Sequence, residues 1–155
     1  MRRFDLRSLH YGESGETWRR LPVEVSPFVF GGLDYEVSGG AVEVLLTAGR
    51  VGESITLVGE IEATVTGPCQ RCLGDADIVV RTRSVEYVHG GDSRFDEDVE
   101  AGYVAANIVD LDRWVRDLLA EGLSEKLLCR EDCAGLCCEC GADLNTDPDH
   151  RHETT

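Results

Sequence analysis

Residues 53–88, ESITLVGEIEATVTGPCQRCLGDADIVVRTRSVEYV, predict two antiparallel strands joined by a turn that carries two cysteines. Over 53–65, apolar and polar residues alternate, which is the period of two expected of a half-buried strand. Residues 76–88 are rich in Ile, Val, Thr and Tyr and predict the second strand. Gly59 interrupts the alternation and is interpreted as a bulge or bend. The apolar face of the first strand comprises Ile55, Leu57, Ile61, Ala63 and Val65.

The residues upstream predict more of the same sheet. Residues 41–48, AVEVLLTA, predict a strand, and the turn at 49–52 joins it to 53–65 in a hairpin. Residues 21–40 contain Pro22, Pro27 and four glycines, a composition typical of short strands broken by turns.

Downstream, residues 110–127 predict the main helix, which we expect Asp110 to cap. Its apolar residues recur at helical spacing and form one stripe: Leu111, Trp114, Val115, Leu118, Leu119 and Leu123. We expect this stripe to pack on the apolar face of the sheet. The fold class predicted is therefore α+β, with an antiparallel sheet, one main packed helix and a zinc-knuckle segment at the C-terminal end.

Composition divides the chain into four predicted parts. Residues 1–20 show no clear period and are interpreted as a flexible N-terminal segment, and 21–128 form the α+β core domain. Residues 129–145 form a cysteine-rich metal-binding segment with few large apolar groups, which therefore needs a staple to be ordered. Residues 146–155 form a polar tail, and residues 89–100 are interpreted as a solvated acidic loop within the core.

Charge and hydropathy exclude several classes of protein. The 155-residue chain has 15 basic and 30 acidic residues and a net charge of −15, which disfavours a DNA-binding protein that must neutralise phosphates. No apolar run is long enough to span a membrane. Two arginines near the start are followed by no apolar run, so a secretory signal is not predicted and a cytoplasmic location is expected.

The seven cysteines predict metal binding. An odd number in a reducing compartment argues against a disulfide framework. Six of them form three close pairs: Cys69 with Cys72, Cys129 with Cys133, and Cys137 with Cys140. The C-x2-C spacing of the first and third pairs lets two thiolates reach one zinc ion. Gly74 and Gly141 follow these pairs, and we expect them to permit the tight turns.

Three ways of sharing the ligands are open. One joins the two C-x2-C pairs, Cys69, Cys72, Cys137 and Cys140, as a zinc ribbon. A second uses the local set Cys129, Cys133, Cys137 and Cys140. A third makes two sites, with Cys69, Cys72, Cys129 and Cys133 in one and Cys137, Cys140, His150 and His152 in the other. The third leaves only Cys138 unassigned.

Other readings of the cysteines fit less well. Cys133, Cys137 and Cys140 have the C-x3-C-x2-C spacing of radical iron–sulfur enzymes, but those enzymes need a large barrel for their substrate. A thioredoxin-like pair requires a thiolate at a helix N-terminus beside a βαβ unit, whereas Cys69 follows a strand. Arg71 either offsets the charge of a four-sulfur site or points outward to RNA or a partner.

Three segments together resemble the YceD family of bacteria and plastids. They are Cys69-Gln70-Arg71-Cys72-Leu73, the acidic helix start Ile108-Val109-Asp110-Leu111, and the run from Leu128 to Asn145 with the pattern L-C-x3-C-A-G-L-C-x2-C-G-A-D-L-N. The resemblance covers roughly residues 20–150. It implies a role in large-subunit ribosomal RNA accumulation and no known catalysis. Some members replace the C-x3-C pair by His-x3-His and lose the last knuckle, which favours Cys69, Cys72, Cys129 and Cys133 as one site.

The function expected is that of a non-enzymatic zinc-binding factor in ribosome biogenesis. Because the chain is so acidic, we expect contact chiefly with a ribosomal protein or an rRNA-processing factor, with local RNA contact at Arg71 and the Arg-rich start. The alternatives are a thiol- or zinc-dependent enzyme and a redox-sensing zinc protein that uses Cys138 as a trigger.

Overall fold

The computed structural model describes residues 2–88 and 102–152 and has the α+β fold expected. The predicted acidic loop at 89–100 lies outside the described residues. The strands are β1 (Arg3–Asp5), β2 (Glu16–Glu24), β3 (Phe28–Phe30), β4 (Leu33–Val37), β5 (Ala41–Val51), β6 (Ser54–Pro68), β7 (Asp75–Val88), β8 (Val104–Ala105) and β9 (Ile108–Asp110), and the helix is α1 (Leu111–Gly122).

Strand β6 is the centre of the main antiparallel sheet. Along one edge it pairs first with β5 and then with β4, and along the other it pairs with β7 over its whole length up to Pro68. β7 is the outer strand on that side, and on the other side the outer strands are β2, which pairs with β5, and β3, which pairs with β4. The predicted hairpin is confirmed, with Val51 opposite Ser54 at its tip. The C-terminal end of β6 and the start of β7 therefore carry the first cysteine pair on a rigid support.

The alternating apolar residues of β6 face the core, as predicted. Leu57, Ile61, Ala63 and Val65 are buried, whereas Glu62 on the opposite face is exposed. Because side chains alternate across a strand, this places the core on one face of the sheet.

Gly59 is neither the bulge nor the bend predicted. It lies in continuous ladders, opposite Leu46 on one side and Ser84 on the other. A Cβ at this position would lie 2.9 Å from Cζ2 of Trp114. The absence of a side chain therefore lets the indole ring of the helix approach the sheet backbone.

Helix α1 begins as predicted and ends earlier. The carboxylate of Asp110 accepts a hydrogen bond from the amide of Arg113, and the stripe from Leu111 to Leu119 is buried. The helix ends at Gly122 rather than at residue 127, and Leu123 is extended. A Cβ on Gly122 would overlap Thr82 and Val80 of β7, so the chain passes close to the sheet here before Leu127 enters the core.

The N-terminal residues contribute strands that the sequence pattern did not indicate. β1 pairs with β9, which also pairs with β8, in a small three-stranded sheet. β2 runs across the predicted boundary between residues 20 and 21 and pairs with β5 from Glu16 to Glu24. The flexibility of residues 1–20 and the four-part division stay predictions. Among the described residues, no helix has the length and apolar character needed to cross a membrane.

Candidate metal centres

The first cysteine pair lies in the turn between β6 and β7, as expected. The amide of Cys69 donates to the carbonyl of Gly74 (2.7 Å), and the amide of Leu73 donates to the carbonyl of Cys69 (2.9 Å). Leu73, with a φ of 59°, occupies the left-handed region, whereas Gly74 does not. The left-handed residue of this turn is therefore Leu73 rather than Gly74, and the amide of Gly74 bonds the sulfur of Cys72.

Hydrogen bonds between Gln70 and Leu127 bring the pair Cys129 and Cys133 close to the pair Cys69 and Cys72. Its amide donates to the carbonyl of Leu127 (2.9 Å), and its side-chain Oε1 accepts from the Leu127 amide (3.2 Å). Leu127 is buried in the core, so the chain that leads to Cys129 is fixed beside the turn.

Four sulfur atoms converge as a result. The Sγ–Sγ distances are 3.7 Å between Cys69 and Cys133 and 3.7 Å between Cys72 and Cys129. All four lie within 4.8 Å of one another. A tetrahedral zinc ion with Zn–S bonds of about 2.3 Å needs sulfur atoms about 3.8 Å apart. The first cluster, defined as these four cysteines, therefore fits a tetrahedral metal ion.

Within the first cluster, burial and polarity differ among the thiols. Cys69 and Cys133 are buried, Cys72 is half-buried and Cys129 is exposed. Burial raises the pKa of Cys69, but the amides of Cys72, Cys129 and Arg71 lower it further, to about 6. Desolvation within the cluster and hydrogen bonds to the neighbouring thiols raise the pKa of Cys129 to about 12, even though the residue as a whole is exposed. Backbone N–H groups directed at the Cys69 sulfur therefore favour its thiolate, the form that binds a metal ion.

The second C-x2-C pair repeats the backbone of the first. The amide of Cys137 donates to the carbonyl of Ala142 (2.8 Å), and the amide of Gly141 donates to the carbonyl of Cys137 (2.8 Å). Gly141, at a φ of 74°, takes the position that Leu73 takes in the first turn. Here the expectation that a glycine permits the turn is confirmed.

The two histidines of the tail, His150 and His152, contact Cys137 and Cys140. Nε2 of His152 is 3.1 Å from Sγ of Cys137, Nε2 of His150 is 3.2 Å from Sγ of Cys140, and the two Nε2 atoms are 3.2 Å apart. An ideal tetrahedral zinc site has about 3.5 Å between S and N and about 3.3 Å between two N atoms. The second cluster, defined as these four residues, fits a metal ion after an expansion of a few tenths of an ångström.

Carboxylates lie behind both imidazoles. Nδ1 of His150 is 3.5 Å from the carboxylate of Asp147, and Nδ1 of His152 is 3.5 Å from that of Glu139. A carboxylate on the far nitrogen is the usual partner of a metal-ligating histidine, because it orients the ring and raises its basicity.

The amides of Cys140 and Glu139, together with His152, lower the pKa of Cys137 to about 6.

The structure groups the ligands in the two-site arrangement. Neither the zinc ribbon nor the single local set is formed, because Cys137 and Cys140 cluster with His150 and His152 rather than with Cys69 or Cys129. Cys133 also lies in a different cluster from Cys137 and Cys140, contrary to the iron–sulfur spacing. Cys138 is exposed and belongs to neither cluster.

Arg71 connects the first turn to the other half of its cluster. Its Nη1 donates to the carbonyl of Cys133 (2.8 Å), which ties the guanidinium to the backbone of the other half of the cluster. This contact turns the side chain toward the cluster, as the charge-offsetting role weighed from the sequence requires. The side chain is otherwise exposed, and an RNA contact there stays a prediction.

Sequence reasoning gave no role to several residues that shape the clusters. Gln70 and Asn145 lie within the quoted motifs, but amide side chains are seldom direct zinc ligands, so the metal interpretation passed over them. Asp147 was placed only in the polar tail and Glu139 only in the cysteine-rich segment, neither with a part in metal binding. Their proximity in sequence to His150 and to Cys140 was the available signal.

Fold and clusters together define a small α+β protein in which two groups of four Cys or His side chains, one shared between the β6–β7 turn and the C-terminal segment and one within the C-terminal residues, can each bind a metal ion. The family model described as large ribosomal RNA subunit accumulation protein YceD matches residues 57–155. The chain belongs to the YceD family.

Uncharacterised mycobacterial proteins are similar to this chain. Those of Mycobacterium tuberculosis and Mycobacterium bovis are 33% identical over 118 residues, which is 74% of this chain and 57% of theirs. One of Mycobacterium leprae is 28% identical over 119 residues, covering 74% of this chain and 54% of its own. The chain thus spans about half the length of the curated relatives it matches. No solved structure matches it.

Proposed function

We propose that this chain is a non-enzymatic zinc-binding factor that supports large-subunit ribosomal RNA accumulation in the bacterial cytoplasm. The observation that carries the proposal is that a member of the YceD family has two sets of four Cys or His side chains, and that the ligand atoms within each set lie within 4.8 Å of one another. The ligands proposed are Cys69, Cys72, Cys129 and Cys133 for one ion and Cys137, Cys140, His150 and His152 for the other.

The donor set supports zinc. Thiolate and imidazole ligands in a tetrahedron suit Zn²⁺, and Cys₄ and Cys₂His₂ are common structural zinc sets. The ions would supply cross-links for a segment that has little apolar surface of its own. Four protein ligands leave no open coordination position for substrate or water, which supports a structural role over a catalytic one.

The charge of the chain supports a protein as the direct partner. With a net charge of −15, general attraction to RNA is unfavourable, while a basic ribosomal protein or an rRNA-processing factor is electrostatically suited. Gel shifts of purified protein with rRNA at two salt concentrations check this. Tight RNA binding that weakens steeply with salt would contradict a protein-mediated contact.

Metal analysis and complementation test the whole proposal. We expect two zinc ions per purified chain, and we expect depletion of the protein to lower large-subunit rRNA relative to small-subunit rRNA. A Cys69→Ser variant should fail to restore that ratio, whereas Cys138→Ser should restore it. Unchanged rRNA after depletion would remove the ribosomal role, and metal-free protein would remove the zinc role.

Exposure of Cys138 between two proposed ligands favours one alternative, a redox-sensing zinc protein. Peroxide titration with a zinc dye separates the two, because a sensor releases zinc as Cys138 oxidises and Cys138→Ser prevents the release. Thiol labelling addresses a thiol-dependent enzyme in turn, since fast labelling of one cysteine without metal loss would favour catalysis.

A further inference from the structure

Asn145 lies in the turn between Cys140 and His150, which belong to the second cluster, yet its side chain reaches the first cluster. We infer that Asn145 is a positioning residue shared by both clusters, so that loading of the second depends on the first. The inference rests on the proposed metal binding and adds a dependence between the two sites.

The hydrogen bonds of the side chain fix which amide atom faces the sulfur. Its Oδ1 accepts from the amide of Ala134 (2.8 Å) and from Nη2 of Arg130 (2.8 Å). Two donors require an oxygen, so the remaining atom is the NH₂ group. That group donates to Oδ1 of Asp143 (2.7 Å) and to Sγ of Cys133 (3.5 Å).

The bond to Cys133 acts on a sulfur that solvent does not reach. Cys133 is only 2% exposed, so no water replaces a lost donor easily. An N–H directed at a ligand sulfur restrains the orientation of that sulfur. Asn145 thereby supports one of the two buried ligands proposed for the first cluster.

The backbone around Asn145 holds the second cluster. Its amide donates to Oδ1 of Asp143 (2.9 Å), while the amide of Leu144 donates to the carbonyl of Gly135 (3.0 Å). The turn continues through the amide of Asp147, bonded to the Asp143 carbonyl, to the amide of His150, bonded to the Asp147 carbonyl, both at 3.2 Å. The position of His150 is therefore set by consecutive hydrogen bonds from Asp143, the residue whose carboxylate both the amide and the side chain of Asn145 bond.

Support for the two clusters is unequal. The first has two buried cysteines and stands on the β6–β7 turn, whereas the second has exposed or half-buried ligands. Gly135, with a φ of 80°, rests against the backbone of Arg71, where a Cβ would lie 3.2 Å from the carbonyl oxygen. The second cluster is thus built on the ordered first cluster, and we expect the dependence to run in that direction.

Release of zinc to a chelator tests the inference on the full chain. EDTA should remove one ion quickly, from the exposed second cluster, and the other slowly. Asn145→Asp keeps the shape and the acceptor but turns the donor into an anion, so we expect both phases to accelerate by about ten- to a hundred-fold. Asn145→Ala, which removes the donor without adding charge, should fall between. Asn107→Asp, the same change in the β8–β9 turn, should release zinc as the wild type does.

A spectroscopic readout separates positioning of the ligand from general loosening. In the Co²⁺-loaded protein, Asn145→Asp and Asn145→Ala should shift the sulfur-to-cobalt charge-transfer band of the four-cysteine site. A His150→Ala, His152→Ala double variant should bind one ion and keep that band, because the first cluster does not need the second.

Each of these experiments has an outcome that would overturn the inference. Two-phase release in Asn145→Asp and Asn145→Ala that matches the wild type, or an effect on one phase alone, overturns the inference while zinc binding stands. Loss of the four-cysteine band in the histidine double variant reverses the proposed direction and overturns it as well. A wild-type chain that binds no zinc removes both the proposed function and this inference.

Discussion

Leu73 and Gly141 occupy equivalent positions in the two C-x2-C turns, but only one of them is a glycine. Both have positive φ, 59° for Leu73 and 74° for Gly141, and the amide of each bonds the carbonyl of the first cysteine of its turn. A left-handed conformation strains a residue with a Cβ. The first turn therefore carries strain that the second avoids.

Exchange of these side chains gives the first prediction. Leu73→Gly should raise the free energy of unfolding by about 0.5–1 kcal/mol, since relief of about 1–2 kcal/mol of strain exceeds the extra entropy of glycine in the unfolded chain. Leu73 is 58% exposed, so little apolar burial is lost. Gly141→Leu should lower stability by a similar amount. Urea denaturation of the zinc-loaded proteins measures both, and equal signs for the two variants would contradict the strain argument.

Glu86 on β7 gives a second prediction, through pH. Burial, and then the charge of Glu121, raise the pKa of Glu86 above its usual value. The folded state then holds this proton more tightly than the unfolded state, so stability falls as pH rises through the interval between the unfolded and the raised folded pKa. Glu86→Gln should therefore stabilise the protein at about pH 7 and have little effect at about pH 4, below the unfolded pKa.

Urea midpoints at the two pH values check this expectation. Glu16→Gln, the same change at an exposed site on β2, controls for the removal of one negative charge from an acidic chain. A gain for Glu86→Gln no larger than that of the control would show that Glu86 is not under strain from burial.

At the scale of elements, the contact between α1 and the sheet depends on a small residue in β6. Trp114 is 1% exposed, and its ring lies over Gly59. Alternation of side chains predicted which face of β6 is buried, and helical spacing predicted the stripe of α1. Neither pattern shows which residues of two elements meet, so Gly59 was read as a break in its own strand.

Gly59→Ala gives a third prediction. The added methyl would meet the Trp114 ring at 2.9 Å, so the helix must shift. Overpacking of this kind lowers the free energy of unfolding by about 1–3 kcal/mol. Gly49→Ala in β5 is the matched control, because no atom lies within 4 Å of its new Cβ. Thermal unfolding compares the two, and an equal loss in both would mean that the cost comes from glycine replacement in strands rather than from the contact.

The helix end illustrates what sequence could not supply. Apolar residues continue at helical spacing as far as Leu127, which favoured a helix to that point. The helix ends instead at Gly122, a residue of low helix propensity that also packs closely against β7, and the spacing of apolar residues registers neither effect. In contrast, the cap at Asp110 depends only on neighbours in sequence and was predicted correctly.

At the scale of the whole molecule, two differently stabilised parts are joined in one chain. The sheet and α1 share an apolar core that includes Trp114, Tyr35 and Leu57. The smaller cluster of buried residues comprises Cys69, Ala76 and Cys133. Spacing alone indicated pairs of thiols but left three ways to combine them, because the combination depends on how β6, β7 and Leu127 are placed in space.

A fourth prediction concerns removal of metal. Chelation should abolish the hydrogen-exchange protection of residues 133–147 and preserve that of β5 and β6, since the sheet has its own core whereas the C-terminal segment has little apolar surface to bury. Exchange measured by mass spectrometry with and without EDTA reports both regions. Loss of protection in β5 would mean that the metal holds the entire fold, and retained protection in 133–147 would mean that the segment needs no metal.

The sulfur atoms of Cys69 and Cys133 are 3.7 Å apart but separated by 64 residues in the chain. At about 5–20 residues added per second, the thiols at the tip of the β6–β7 hairpin emerge from the ribosome about 3–13 s before their counterparts. The hairpin can pair during this interval, whereas its two cysteines remain open to oxidants and to unsuitable metals. The order of synthesis therefore leaves the two hairpin thiols without their partner cysteines until residues 129–133 have been added.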